Sequence, residues 1–170
     1  MRRPGTGQGT AGEPSPPALP DLPLSPYTNL VTARGLAQLH ARQRDARERL
    51  EALEPGELLE RGYLERHLRW LQARIDAAVP VGPRLEGRDR AGFGARVELR
   101  HSDGDLQRLR LVGEDEADAD HGLLSWVTPL ARALEGARVG ERIRWQGADG
   151  ERDAELTGLE YDDDDGGPRH

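Results

Sequence analysis

Two apolar seams with helical spacing follow one another in the first half of the chain. Leu36, Leu39, Gln43, Ala46, Leu50 and Leu53 recur at steps of three and four behind Thr32, a residue type suited to an N-cap. Leu64, Leu68, Leu71, Ile75 and Ala78 repeat the pattern after a break at Pro55-Gly56. Proline pushes the residue before it out of helical geometry, so this break ends the first helix. The two seams predict an antiparallel helical hairpin, a short coiled coil, over residues 29–79. At about 1.5 Å per residue, each arm of twenty or so residues reaches roughly 30 Å.

Beyond Gly94 the pattern changes. Residues 95–100, 107–112, 142–145 and 154–161 set Val, Ile or Leu among charges, as half-buried strands do. Pro129 to Leu134 is the one short helix among them, with proline in its first turn. Residues 80–94, containing Pro, Gly and Arg, read as a linker, and 95–161 as a small sheet domain. The fold class is α+β: an N-terminal helical hairpin followed by a small sheet with one short helix. Two flanks remain. Residues 1–28 read as a disordered tail, with seven Pro and four Gly before Tyr27 and few large apolar side chains. Residues 162–170 open with Asp162 to Asp165 and read as a solvated acidic tail.

Composition narrows the classes. With no cysteine in 170 residues, disulfides and thiolate metal sites are excluded. No apolar run is long enough to cross a membrane, and the N-terminus lacks the apolar core of a signal peptide. A cytoplasmic bacterial protein, monomeric and with no membrane partner, is the expectation. Every Lys or Arg position is Arg, and the formal net charge is -7. That charge is uneven. Residues 33–78 carry nine Arg against eight acids, whereas residues 95–170 carry ten Arg against nineteen. An acidic domain repels nucleic-acid phosphate and favours basic protein surfaces, so direct sequence-specific DNA binding is not expected.

The densest information lies between Leu111 and Gly140, which reads LVGEDEADADHGLLSWVTPLARALEGARVG. Gly104, Leu111-Val112-Gly113, Glu116-Ala117-Asp118, Gly122, Ser125, Pro129 to Leu134, Gly136 and Val139-Gly140 fall in one order. In that order they resemble the C-terminal signature of the bacterial GreA/GreB transcript-cleavage factors. Thr128 stands where the family usually has Ser, and Glu141 where it often has Asp. Near the start, Asn29-Leu30-Val31-Thr32 with Gly35-Leu36 and Leu39 looks like the family's N-x-[IV]-T-x-x-G-x-x-x-L opening. Arg69-Trp70-Leu71 to Val81 resembles the end of its second helix.

The resemblance implies an FKBP-like C-terminal domain that holds the rim of the RNA polymerase secondary channel. It also implies that the Ser125, Trp126, Val127, Thr128, Pro129 and Leu130 corner contacts that partner. Trp126 and Val127 would be its apolar anchor, the residue type that dominates binding energy. The alternative places Trp126 in the domain's own core. The fold alone would also allow prolyl isomerisation, but fold does not transfer activity, and 4% aromatic content is poor material for a prolyl pocket.

The hairpin departs from the family. Both arms are more than a heptad shorter than the usual coiled coil, and the short hairpin resembles that of Rnk, the regulator of nucleoside diphosphate kinase. At the family's tip, G-D-x-S-E-N-A-[DE]-Y supplies acids that help hold a second metal ion at the polymerase active site. Here the tip reads Leu53-Glu54-Pro55-Gly56-Glu57-Leu58-Leu59-Glu60. Glu54 and Glu57 are the candidate acids for that role, on the polymerase's magnesium rather than on a metal of this chain's own. Glu57 and Glu60 equally suit the first turn of a helix, where acids complement the dipole.

Glu114, Asp115, Glu116, Asp118 and Asp120 lack EF-hand spacing and read as a solvated acidic turn facing a basic partner. His101 and His121 show no ligand spacing or triad partner. The expectation is a non-enzymatic regulator that binds RNA polymerase without strong cleavage stimulation. The alternatives are a cleavage-stimulating factor acting through Glu54 and Glu57, and an adaptor for some other protein.

Overall fold

The computed structural model describes Gly12 and residues 19–163. Strand β1 (Asn29–Val31) leads into helix α1 (Ala33–Glu51), and helix α2 (Leu58–Asp76) runs into strand β2 (Ala78–Pro80). Thr32 caps α1, its hydroxyl oxygen accepting from the Gly35 N–H at 2.9 Å. Cross-links from Gln43 to Gln72 (2.7 Å) and from Arg49 to Glu60 (3.1 Å) give the two helices an antiparallel register. Leu39, Ala46, Leu64 and Leu71 are buried between them, with Leu36, Leu50, Leu53, Leu68 and Ile75 packed around. The hairpin and its seams are therefore those the spacing predicts. At 19 residues each, the arms measure about 28 Å.

The hairpin's base carries a feature the periodicity does not show. β1 and β2 pair in parallel, Asn29 against Ala78 and Val31 against Pro80, and the Val81 N–H continues the ladder to the Val31 carbonyl. Three-residue strands have no period to detect.

The second unit is a five-stranded sheet of β3 (Arg96–His101), β4 (Leu106–Val112), β5 (Leu123–Ser125), β6 (Arg142–Gly147) and β7 (Gly150–Glu160). Its order is β5-β4-β3-β7-β6, antiparallel except for the parallel β4–β5 pair. β5 is an addition to the predicted strands, and β7 begins four residues earlier than expected. Helix α3 (Pro129–Leu134) has the predicted bounds. It places Leu130 and Leu134 over Val97, Leu99, Leu111, Ile143 and Leu156, which make the core.

Two boundaries move. Ala91, read as linker, is fully buried in the sheet core and exchanges backbone hydrogen bonds with Gly136 and Ala137. The end of the 80–94 segment therefore belongs to the domain. The segment read as a disordered tail lies outside the described residues up to Ala18, Gly12 excepted. From Asp21 it is seated on the molecule, because side chains at Asp21, Ser25 and Tyr27 find partners that composition does not reveal. Asp162 and Asp163 of the acidic tail are likewise paired, with Arg96 and Arg110 and with Arg88 respectively. The rest of that tail lies outside the described residues.

Candidate functional site

The corner between β5 and α3 is built by short local bonds. Thr128 caps α3, accepting from the Ala131 N–H at 3.3 Å while donating its hydroxyl to the Ser125 carbonyl at 2.9 Å. Pro129 follows at the first helical position, where its missing N–H costs nothing. The Trp126 N–H bonds the Val112 carbonyl at 3.0 Å, pinning the corner to the end of β4. Ser125 and Leu130 are buried. Trp126, Val127 and Thr128 are half-buried and Pro129 is exposed. Of the six residues predicted to bind a partner, four thus reach the surface.

Trp126 sits between the two readings made from sequence. Its ring and that of Tyr27 pack in a T-shape with centroids 6.3 Å apart, and its indole N–H is shut off from solvent with no acceptor. Tyr27 in turn lies under the Arg132 guanidinium at 5.0 Å.

The acidic turn is solvated as expected only at Asp118 and Asp120; Glu114, Asp115 and Glu116 turn inward. It is the contact between sheet and hairpin. Arg74, only 4% exposed, bonds Asp115 at 2.7 Å and the Asn29 side-chain oxygen at 2.6 Å, with Glu114 3.7 Å away. Asn29 returns its amide to the Arg74 carbonyl at 2.7 Å. Glu116, 5% exposed, accepts the Thr32 hydroxyl at the start of α1, where the helix dipole favours a carboxylate. Gly113 completes the contact, since a Cβ there would come within 2.3 Å of the Leu30 carbonyl oxygen. Asn29 opens the N-x-[IV]-T motif, but the role of Arg74 as its partner was missed, because the acid Arg74 bonds lies 41 positions away. The only signal is that Arg74 stands three residues after Leu71, on the buried side of α2.

His121 does have a partner: its Nδ1 lies 2.7 Å from Asp118, and this bond holds the Asp118 carboxyl below its ordinary range. Among the described residues, no group of three or more His, Asp or Glu is arranged to hold a metal ion.

The tip lies at the far end of the hairpin, and the fold does not bring it to the corner. Glu57 occupies the N-cap position of α2, and its Oε2 turns back to accept the Glu54 backbone N–H at 2.8 Å. Glu60 pairs with Arg49. Both candidate acids are exposed.

A family profile described as transcription elongation factor GreA/GreB, C-terminal, matches residues 86–161. GreA from Alkalilimnicola ehrlichii is 30% identical over 152 residues, covering 77% of this chain and 96% of the relative. The chain belongs to the GreA/GreB family. GreB from Neisseria meningitidis serogroup A is 39% identical over 99 residues, 58% of this chain. That match spans 61% of the Neisseria protein, about three-fifths of its length. Among solved structures, the GreA factor homolog 1 of Thermus thermophilus shares 21% identity over 79% of this chain and 99% of its own, with a TM-score of 0.40. The family signature thus covers the sheet domain, the acidic contact and the corner, and the Alkalilimnicola match extends into the hairpin.

No helix among the described residues is long and apolar enough to cross a membrane.

Proposed function

We propose that this Gre-family chain is a non-catalytic regulator of RNA polymerase. It would act as a cytoplasmic monomer that docks its FKBP-like sheet domain at the secondary-channel rim through Trp126, Val127, Thr128 and Pro129. The short hairpin would then occupy the channel without strongly stimulating transcript cleavage.

One observation carries this reading. Of the two candidate acids, Glu57 is turned back onto the tip's own backbone, closing the turn on the Glu54 N–H, and the neighbouring Glu60 pairs with Arg49. A cleavage-supporting tip would need both carboxylates aimed outward at the polymerase's magnesium, beside the attacking water. The corner and the acidic contact, by contrast, keep the family's residues in place, which supports retention of the docking half.

The test is RNA length on a backtracked elongation complex with magnesium, before and after this protein is added. The expected result is unchanged RNA, together with slower cleavage by an authentic Gre factor supplied afterwards. Rapid shortening that disappears when Glu54 and Glu57 become Gln would make the chain a working cleavage factor. If neither length nor competition changed, the polymerase itself would be the wrong partner.

A further inference from the structure

Asp21 to Tyr27 touches both halves of the molecule. At one end Asp21 pairs with Arg69 at 2.8 Å, and the Pro23 carbonyl accepts the Trp70 indole N–H at 3.3 Å, both on α2. Midway, the Ser25 hydroxyl donates to Glu114 at 2.9 Å, in the acidic turn that joins hairpin to sheet. At the other end the Tyr27 ring lies against Trp126 and beneath Arg132. Pro20, Pro23 and Pro26 recur every third residue, the period of a polyproline II turn. Such a segment is already stiff and extended, so seating it loses little chain entropy.

We propose that Asp21–Tyr27 is an intramolecular strap that covers the Trp126 corner and has to release it before a partner can seat there. Two further observations support a cover that opens. Its anchors are weak one by one: the Asp21–Arg69 pair is well exposed on both sides, and Tyr27 is 43% exposed. The corner beneath it is left wanting an acceptor, since the Trp126 indole N–H is closed to solvent and unbonded. Release would let that N–H reach water or a partner's oxygen. It would also uncover the side of Trp126 against which Tyr27 packs.

The opening of the corner stands by itself; its effect on binding rests on the polymerase reading. The full chain carrying Tyr27→Ser and Asp21→Asn together tests both. Solvent exchange of the Trp126 indole N–H, assigned with Trp126→Phe, is expected to rise about tenfold, while Tyr27→Phe, which keeps the ring, stays at the wild-type rate. An unchanged exchange rate in the double variant overturns the cover. Affinity for core RNA polymerase is expected to rise about tenfold, as it would if the open form were about a tenth of the population beforehand. Faster exchange with equal or weaker affinity overturns the gating. Absence of binding by both wild type and variant removes the polymerase reading and the gating with it, and the exchange result still decides the cover.

Discussion

Replacing Arg74 with Met tests whether the sheet and hairpin are held together by the buried ion cluster. Met keeps an unbranched side chain of similar length but removes every polar contact. Arg74→Met strands Asp115, which loses its 2.7 Å partner, and Asn29, which loses the 2.6 Å bond to its oxygen. Taking away one member of a buried, hydrogen-bonded pair costs about 3–5 kcal/mol, because the remaining charge is left uncompensated. Asp115 and Glu114 keep 14% and 22% of their side-chain exposure, so water recovers part of that loss. The lower end, about 3 kcal/mol, is therefore expected. For a chain of this size it corresponds to a fall in Tm of about 6–12 °C.

Thermal and urea unfolding followed by circular dichroism measure the single variant. The double variant Arg74→Met, Asp115→Leu supplies the control. Removing both charges abolishes the stranded carboxylate, so the double variant should be more stable than Arg74→Met alone by about 1 kcal/mol or more. A loss below about 1 kcal/mol in the single variant, or a double variant as unstable as the two single losses added together, would refute a working buried pair.

Two other outcomes follow from the same geometry. Gly113→Ala drives a Cβ to 2.3 Å from the Leu30 carbonyl oxygen, so the acidic turn has to move away from the hairpin base. Amide exchange at residues 29–31 should quicken by an order of magnitude or more while the β3–β7 amides keep their protection; unchanged exchange at the base would show that the contact is loose. The Tyr161 hydroxyl donates to the Arg90 carbonyl at 2.7 Å, and burial lifts its pKa above the usual tyrosine value. The unfolded chain then releases this proton first. The contribution is therefore complete below about pH 10 and is lost as pH rises through the folded pKa. An ultraviolet titration should show one late phenolate that Tyr161→Phe removes, and a late step that survives in Tyr161→Phe would assign it elsewhere.

What the sequence makes legible here is whatever is periodic or locally capped. The hairpin seams repeat every three and four residues, and the break at Pro55-Gly56 falls where the helices turn. Helix α3 is readable to the residue because Thr128 caps it and Pro129 fixes its first turn. β1, β2 and β5 escape because each is three residues long and pairs in parallel with a strand elsewhere in the chain. The acidic turn escapes for a different reason. Five carboxylates in seven residues look solvated until Arg74, 41 positions from Asp115, is folded against Asp115 and Glu114. Tyr27 is hidden in the same way, inside a proline-rich segment whose composition says nothing of a partner on the far side of the sequence.

Those hidden contacts converge on one place. The strap, the parallel β1–β2 pair, the acidic turn and the Trp126 corner all meet where hairpin joins sheet, and each touches residues distant in sequence. The tip, whose acids are the easiest feature to notice, is bonded only to its immediate neighbours and to the facing helix. Changes at the base therefore alter the hairpin's attachment to the sheet and the accessibility of the corner together. Changes at Glu54 and Glu57 alter one turn. If the base is where this protein's activity is set, then Arg74→Met and the Tyr27→Ser, Asp21→Asn pair should change polymerase competition by more than Glu54→Gln with Glu57→Gln does. The reverse ranking would return the functional weight to the tip.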